Sequence, residues 1–548
     1  MITSMNFNSF KSFFNNIAII KRLYIQFNYF FFLKKKIIIQ LDDSNIKFSQ
    51  PKKKTIIFTL IETAHPVNFF LMLFAKILKI RGYNVLILVC DQFLGACEIK
   101  SIRRSKDPCY ECKFNQKKIY PFFKIPIIKL SDFNNKNLTI KINNTVRRYK
   151  KNNYSFNKFD EFYYLNKVIK DSVLRHFFGD VYQDNQKEKI LKISIDHCKT
   201  AVYMHELSKI IDVKFMPTSV VSLMTSYSSW YSFFLYFKKR NKFRQIGFDK
   251  KICLFDNFKF FPSVKLFRSF LSLFKRKQLN QKENLEISNF LKKRFGSYYM
   301  NSTNSVYLEN KKKSKQIENY LSIKKNKINI FIFPNVFWDV GLTDRGGIFN
   351  SVLEWLFYTI DLLKNNSKYH IYIKPHPNEF VGMESLMGIK KIIQNKYGNS
   401  ISNLTFIDRS LKVSTYELKS FIDLALVFNG TLNLEFMLLN VPVISTGITS
   451  TKGIGFKKEL KSKREYKKVL IDKNYNFSEF LVRDRKKLMI FVYFWFIKKD
   501  LIWNKKNYYT HSINRFRGFN FKSLNDCNFS DTQTNSIVKF LSKGKQLF

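Results

Sequence analysis

Long apolar runs are missing from this chain of 548 residues, and so is a balancing negative charge. No stretch reaches the roughly 18 apolar residues that a membrane-spanning helix needs. The longest candidate, LMIFVYFWFI at 488–497, is short and has lysines on both sides. It reads as a buried helix with solvated ends; peripheral attachment to a membrane is the alternative. The first 40 residues hold apolar patches broken by Lys21, Arg22 and the lysines at 34–36, and they show no cleavable leader pattern. The seven cysteines are too few and too scattered for a disulfide scaffold, which points to a reducing compartment. CYEC at 109–112 has the spacing of half a zinc site. No second CxxC or CxxH accompanies it, only Cys97, His197 and Cys198, so no metal site is expected. P-loop, GxSxG and HExxH motifs are absent, as is any repeat of fixed period. These absences describe a cytoplasmic protein with no resident cofactor.

What is present is basic charge: 95 Lys and Arg against 41 Asp and Glu, a formal net charge of +54. Lys, Asn, Ile, Phe and Tyr are all abundant together, as an AT-rich genome would make them whatever the function. The other source is selection for an acidic partner, namely a membrane surface, a sugar nucleotide or a nucleic acid. The charge is spread along the whole chain and no nucleic-acid module is recognisable, so a nucleic-acid partner is disfavoured.

The apolar pattern alternates between strand and helix. TIIFTLI (55–61) reads as a strand, VNFFLMLFAKILKIRG as a helix stopping at Gly82, and YNVLILVC (83–90) as a second strand. That is a βαβ unit of a parallel sheet. KIPIIKL (124–130), KISID (192–196) and DVKFMPT (212–218) read as further strands. Residues 235–325 read as the remaining helices of this domain and a connector. The pattern restarts at KINIFIFPN (327–335) and runs through strands at YHIYIK, NLTFID (403–408), LALVFN (424–429) and PVIST (442–446), with helices between them. The expected fold is α/β: two Rossmann-like doubly wound domains with an interdomain cleft. The expected boundaries are 1–50 for a basic aromatic extension and 51–325 for the first domain. The second domain takes 326–475 and a helical tail 476–548.

Four stretches can carry chemistry. In YHIYIKPHPNEF (369–380), Pro375 ends ladder pairing and holds Lys374 extended, and Pro377 does the same for His376. An imidazole N–H and an ammonium at a strand's carboxyl end suit a phosphate oxygen. In LVFNGTLNLEF (426–436), the strand ends at Asn429, Gly430 turns, and Thr431 opens a helix whose first N–H groups attract anions. Glu435, four residues on, shares a face with Thr431 and is placed to meet ribose hydroxyls. FPNVFWDVGLTDRGG (333–347) offers Asp344 or Arg345 to a substrate, with Gly341, Gly346 and Gly347 permitting tight backbone; Trp338 as a packing anchor is the plainer reading. In IETAHPV (61–67), Glu62 or His65 is placed to act as general base on an acceptor hydroxyl, or else caps a helix.

Taken in order, IFIFPNVFWDVG, EWLFYTIDLL, IYIKPHPNE and VFNGTLNLEFMLLNVPVISTG resemble the C-terminal half of bacterial capsule and surface-polysaccharide glycosyltransferases of the GT-B type. The resemblance covers 327–456 well, and 55–90 and YSSWYSFF (227–234) more loosely. The His-Pro pair also resembles that of bacterial sialyltransferases, Kdo transferases and the glycerol-phosphate polymerases of teichoic-acid synthesis. The resemblance implies a transferase taking a nucleotide-sugar donor and a glycan or lipid-linked acceptor. Helix N–H groups and cations at the phosphate can take the place of a metal, and the basic, aromatic ends are expected to keep the enzyme at the inner face of the membrane. The resemblance also implies that His376 contacts the donor phosphate, that Glu435 lies near the ribose, and that Gly430 and Thr431 line the same pocket. A polyol-phosphate transferase and a sugar-nucleotide 2-epimerase of the same fold remain as alternatives, and a non-enzymatic nucleic-acid-binding protein stands as the rival from another class.

Overall fold

The computed structural model describes residues 22–62, 68–102, 107–178, 186–249, 251–256, 264–295, 314–339, 347–379, 388–398, 401–408, 411, 413–472 and 474–498. Beyond these it describes 511–512, 515–516, 519, 521–524 and 532–543. The chain divides into two compact units, one of 1–169, 192–257 and 500–547, the other of 170–191, 258–499 and residue 548.

The first unit is built on β1 (Lys52–Leu60), β2 (Tyr83–Val89), β3 (Ile127–Lys129), β4 (Ser219–Ser222), β5 (Phe243–Asp249) and β6 (Lys251–Asp256). They form one sheet in the order β3-β2-β1-β4-β5-β6. All neighbours are parallel except the β5–β6 pair at the edge. The last five residues of β1 are buried and the helix Asn68–Ile80 is buried almost throughout, so the sheet is covered on both faces. The chain order reverses between β1 and β4, the topological switch at which open α/β sheets bind ligands.

The second unit is built on β7 (Ile328–Phe333), β8 (Tyr369–Ile373), β9 (Leu404–Phe406), β10 (Leu424–Val427) and β11 (Val443–Ser445). The order is β11-β10-β7-β8-β9, entirely parallel, with its switch between β7 and β10. The helix Val352–Leu363 crosses from β7 to β8, started by Ser351, whose hydroxyl accepts from the Glu354 N–H. Two Rossmann-like parallel sheets, as expected, are therefore the architecture.

Three expectations are corrected. KISID (192–196) lies within a helix, Lys187–Phe215, and that helix also takes in the start of DVKFMPT; the strand begins only at Ser219. Five alternating residues fit either period, and here the 29-residue helical context prevails. Residues 264–295 belong with the second unit, because Phe267, Phe270 and Ile287 share one buried core with residues of β7 and β10. Each such burial contributes about 1.5–3 kcal/mol. The described residues near the ends, 29–40 and 519–541, are not appendages either. Tyr29 and Ile37 join Phe519, Leu524 and Ile537 in the core of the first unit, and Gln40 exchanges hydrogen bonds with the backbone of Phe519. LMIFVYFWFI is buried in the second unit's core, over the helix Arg485–Tyr493 and the turn that follows. Among the described residues no helix is long and apolar enough to cross a membrane.

Candidate functional site

The carboxyl ends of β8, β7 and β10 are neighbours in the second sheet. Val427 is level with Phe333, and Ile332 with Ile373. With strands about 4.8 Å apart, the exits of β8 and β10 are about 10 Å from each other across β7. This edge holds Lys374 and His376 from β8, Pro334 and Asn335 from β7, and Asn429 and Gly430 from β10.

The proline-flanked exit forms as its chemistry dictates. The Lys374 N–H makes the last ladder bond, 3.0 Å to the Ile332 carbonyl; Pro375 has no N–H to offer, and a short turn, Pro377–Glu379, follows. Lys374 is only 9 % exposed, and burial draws its ammonium down to about 8, with the Glu417 carboxylate opposing. Burial likewise lowers the His376 imidazole to about 4, helped by the Lys374 charge and opposed by Asp339. At neutral pH the ring is therefore neutral, with one N–H donor and one acceptor. Glu379 is wholly buried. It accepts the Ile389 N–H at the start of the helix Ile389–Tyr397, and burial raises its carboxyl to about 7. Glu379 thus ties the end of the KPHP segment to that helix.

At the switch point, Asn335 accepts the Asn429 N–H at 3.1 Å. Gly430 follows with φ +94°, a conformation only glycine adopts without strain, and a Cβ there would meet Asn335 Nδ2 at 3.2 Å. Asn335 therefore sets the turn, a role that the sequence signalled only as the last residue of FPN. Thr431 is exposed and caps the short helix Leu432–Leu438 without a side-chain cap bond.

Glu435 is placed otherwise than expected. It is buried, one oxygen paired with Arg294 and the other accepting the Tyr416 hydroxyl at 2.8 Å. Arg294 also reaches the Thr431 hydroxyl at 3.3 Å. The carboxylate is committed to an internal ion pair rather than turned to a ribose. The reason is that a buried Glu needs a cation, and the helix Gln281–Phe295 supplies one. Arg294 lies in a lysine-rich stretch with no local signal; the shared face of Thr431 and Glu435 was the available clue.

Trp338 is a packing anchor, edge-on to Phe178 and 5.0 Å beneath the Arg175 guanidinium, which pairs with Asp339 at 3.4 Å. Gly347 serves a close approach to the chain itself: a Cβ there would lie 2.2 Å from the Thr446 carbonyl. Asp344, Arg345, Gly341 and Gly346 lie outside the described residues, as does His65. Glu62 follows β1 in the first unit, buried, accepting the Trp230 indole N–H at 2.9 Å. Cys112 packs with Cys97 and Ile99, and among the described residues no cluster of three or more His, Cys, Asp or Glu surrounds a metal-sized space.

No protein-family description matches this chain, and no curated protein does. Solved structures that resemble it include the β-Kdo 2,7 transferase KpsC of Thermosulfurimonas dismutans, 14 % identical, aligned over 36 % of this chain and 58 % of that one, TM-score 0.20. The alignment thus spans little more than half of the KpsC chain. The UDP-GlcNAc 2-epimerase of Neisseria meningitidis, bound to UDP-GlcNAc, is 11 % identical over 80 % of this chain and 96 % of its own, TM-score 0.26. A glycosyltransferase from Rickettsia africae is 10 % identical over 82 % and 95 %, TM-score 0.24. At these scores the fold rests on the sheet order and register above, and the chemistry on the side chains.

Proposed function

We propose that the chain is a glycosyltransferase that moves a sugar from a nucleotide-sugar donor to a glycan or lipid-linked acceptor, in the building of a surface polysaccharide. The observation that carries this reading is the gathering of Lys374, His376, Asn335 and the turn at Asn429 and Gly430 on one edge of a parallel sheet, at its switch point. A phosphate at this edge receives a hydrogen bond from the neutral imidazole and charge from the lysine. Burial has already stripped Lys374 of water, so its ammonium gains more from an anion than an exposed lysine does. As the bond to the nucleotide breaks, the same two groups stabilise the charge growing on the phosphate oxygen. Cation and N–H donor supply this counter-charge, so the reaction is expected to run without a metal. Thr431, exposed beside Gly430, is left to meet the donor, while Glu435 braces the pocket through Arg294. Glu62 in the first unit is the base for the acceptor.

The resemblance of the ordered motifs supports the choice of a surface polysaccharide. Attachment to an anionic membrane belongs to the same reading. Phe27, Phe30, Phe31 and Phe32 are more than half exposed, next to Lys34 and Lys35. Replacing Phe30, Phe31 and Phe32 with Ser should abolish sedimentation with anionic vesicles; unchanged sedimentation rejects attachment through this face.

The test of the donor site is thermal stabilisation by CMP, CDP, UDP and GDP. A nucleotide at 100 times its Kd stabilises by about 2.7 kcal/mol, a rise of roughly 5–10 °C for a unit of this size. His376→Ala should remove that rise. A rise that survives in the variant places the nucleotide elsewhere.

A further inference from the structure

A groove of about 400 Å³ lies on the surface of the first unit, between the helix Lys136–Lys151 and the turn that carries Glu161. Asn135 starts the helix, its side chain accepting the Leu138 N–H at 2.9 Å. Leu138, Val146 and Tyr149 are buried, which turns the other face of the helix outward. Asn137, Lys141, Asn144 and Arg148 share that outer face, being three or four residues apart, and they line the groove with Ile140 and Glu161. Two ion pairs hold the walls: Lys141 with Glu206 at 2.8 Å, and Arg148 with Asp160 at 3.2 Å.

The turn is firmly held. The Asp160 N–H bonds to the Asn157 carbonyl and the Tyr163 N–H to the Asp160 carbonyl, each at 2.9 Å, and Asp160 Oδ1 accepts the Phe162 N–H at 2.9 Å. Phe162 itself is buried against Phe156. On this fixed turn Phe159 is wholly exposed and Tyr163 nearly half exposed, and Ile140 across from it is half exposed. Apolar residues scattered singly over a surface need no explanation, but these three surround one polar groove. The groove itself is close to neutral, with Lys141 and Arg148 set against Glu206, Asp160 and Glu161. The exposed cations Arg147, Lys150 and Lys151 stand on the same helix outside the lining. A polymer with a phosphate at every residue meets the Glu161 carboxylate in such a groove. Sugar hydroxyls do not suffer from it, because a carboxylate accepts their protons. An Asn amide offers a donor and an acceptor side by side, as two neighbouring hydroxyls require. An exposed ring offers an apolar surface to the C–H face of a sugar, and outlying cations suit carboxylates along the chain.

We propose that this groove of the first unit is a binding site for an acidic oligosaccharide, with Asn137 and Asn144 bonding to sugar hydroxyls, Phe159 covering a sugar ring, and Arg147 drawing in the carboxylates. The ion pairs and the hydrogen-bonded turn have already ordered the walls, so binding costs little side-chain freedom. The site's use is to hold a surface glycan by its body while the chain is being built. That use rests on the glycosyltransferase reading; the binding does not.

Calorimetry of the full chain with three probes tests the site: an octamer of galacturonic acid, the neutral maltooctaose, and an octamer of thymidylate. The galacturonate octamer should bind most tightly. Phe159→Ser and Asn144→Ala lie at exposed positions, and each should weaken that binding about tenfold with Tm unchanged. Arg147→Glu should bring galacturonate down to the level of maltooctaose. Binding that is equal in Phe159→Ser and Asn144→Ala overturns the site, and so does a failure of the wild type to bind galacturonate. Tighter binding of thymidylate than of galacturonate also overturns it and makes the groove a nucleic-acid surface. Galacturonate binding that Phe159→Ser weakens, in a chain that releases no CMP or UDP from a CMP- or UDP-activated sugar, upholds the groove and overturns the transferase reading alone.

Discussion

Replacing Glu379 with Gln should stabilise the second unit, and only above the acid range. The Glu379 carboxyl is 0 % exposed and accepts a hydrogen bond from the Ile389 N–H; its other oxygen has no partner among the described residues. Burial raises it from the ordinary 4.5 to about 7. A raised acid means that the fold favours the protonated form. Below pH 4.5 both folded and unfolded chains are protonated and nothing is lost. Between 4.5 and 7 the unfolded chain ionises while the folded one does not, so stability falls. Above 7 both are ionised, and the full cost of burying the charge remains. At 1.36 kcal/mol per pH unit that cost is about 3 kcal/mol. Gln accepts the Ile389 N–H equally well and never ionises. A fixed offset for its buried amide applies at every pH. Urea unfolding of the second unit at pH 4.5, 6, 7 and 8.5 should show the stability of Glu379→Gln relative to wild type rising by about 3 kcal/mol across the series and levelling off beyond 7. A flat difference refutes the raised carboxyl. A difference that falls with pH means that Glu379 is ionised and supports the helix N-terminus as a carboxylate.

Arg294→Ala leaves the buried Glu435 carboxylate without its cation and should cost about 3–5 kcal/mol by urea unfolding; replacing Glu435 with Leu in the same chain should recover part of this. Gly430→Ala should cost about 1–2 kcal/mol, because a non-glycine residue is held at φ +94° against Asn335. Nucleotide binding measured by calorimetry should weaken about tenfold per pH unit above about 8, where Lys374 loses its proton in the free protein. Lys374→Met should bind more weakly and without that dependence.

Much of this molecule is legible in its local pattern. Buried strands read as continuous Ile, Leu, Val and Phe runs, and helices repeat every three to four residues, so β1, β2, β7, β8 and β10 stand where the pattern places them. The same holds for the exit at KPHP, because a proline acts on its own residue and its neighbour, whatever the rest of the chain does. The helix at 192–196 was hidden because five residues do not decide between two periods.

What the sequence by itself determined is thus the set of elements and the residues at their ends: Lys374 and His376 after β8, Asn429 and Gly430 after β10, Glu62 after β1. Only the tertiary structure decided who meets whom. Arg294 and Glu435 are 141 positions apart, Glu62 and Trp230 are 168, and Ser229 and Glu98 are 131. Local periodicity says which face of an element is buried. It says nothing of which charge or hydroxyl is waiting on the other side, because that partner is chosen by the packing of distant segments.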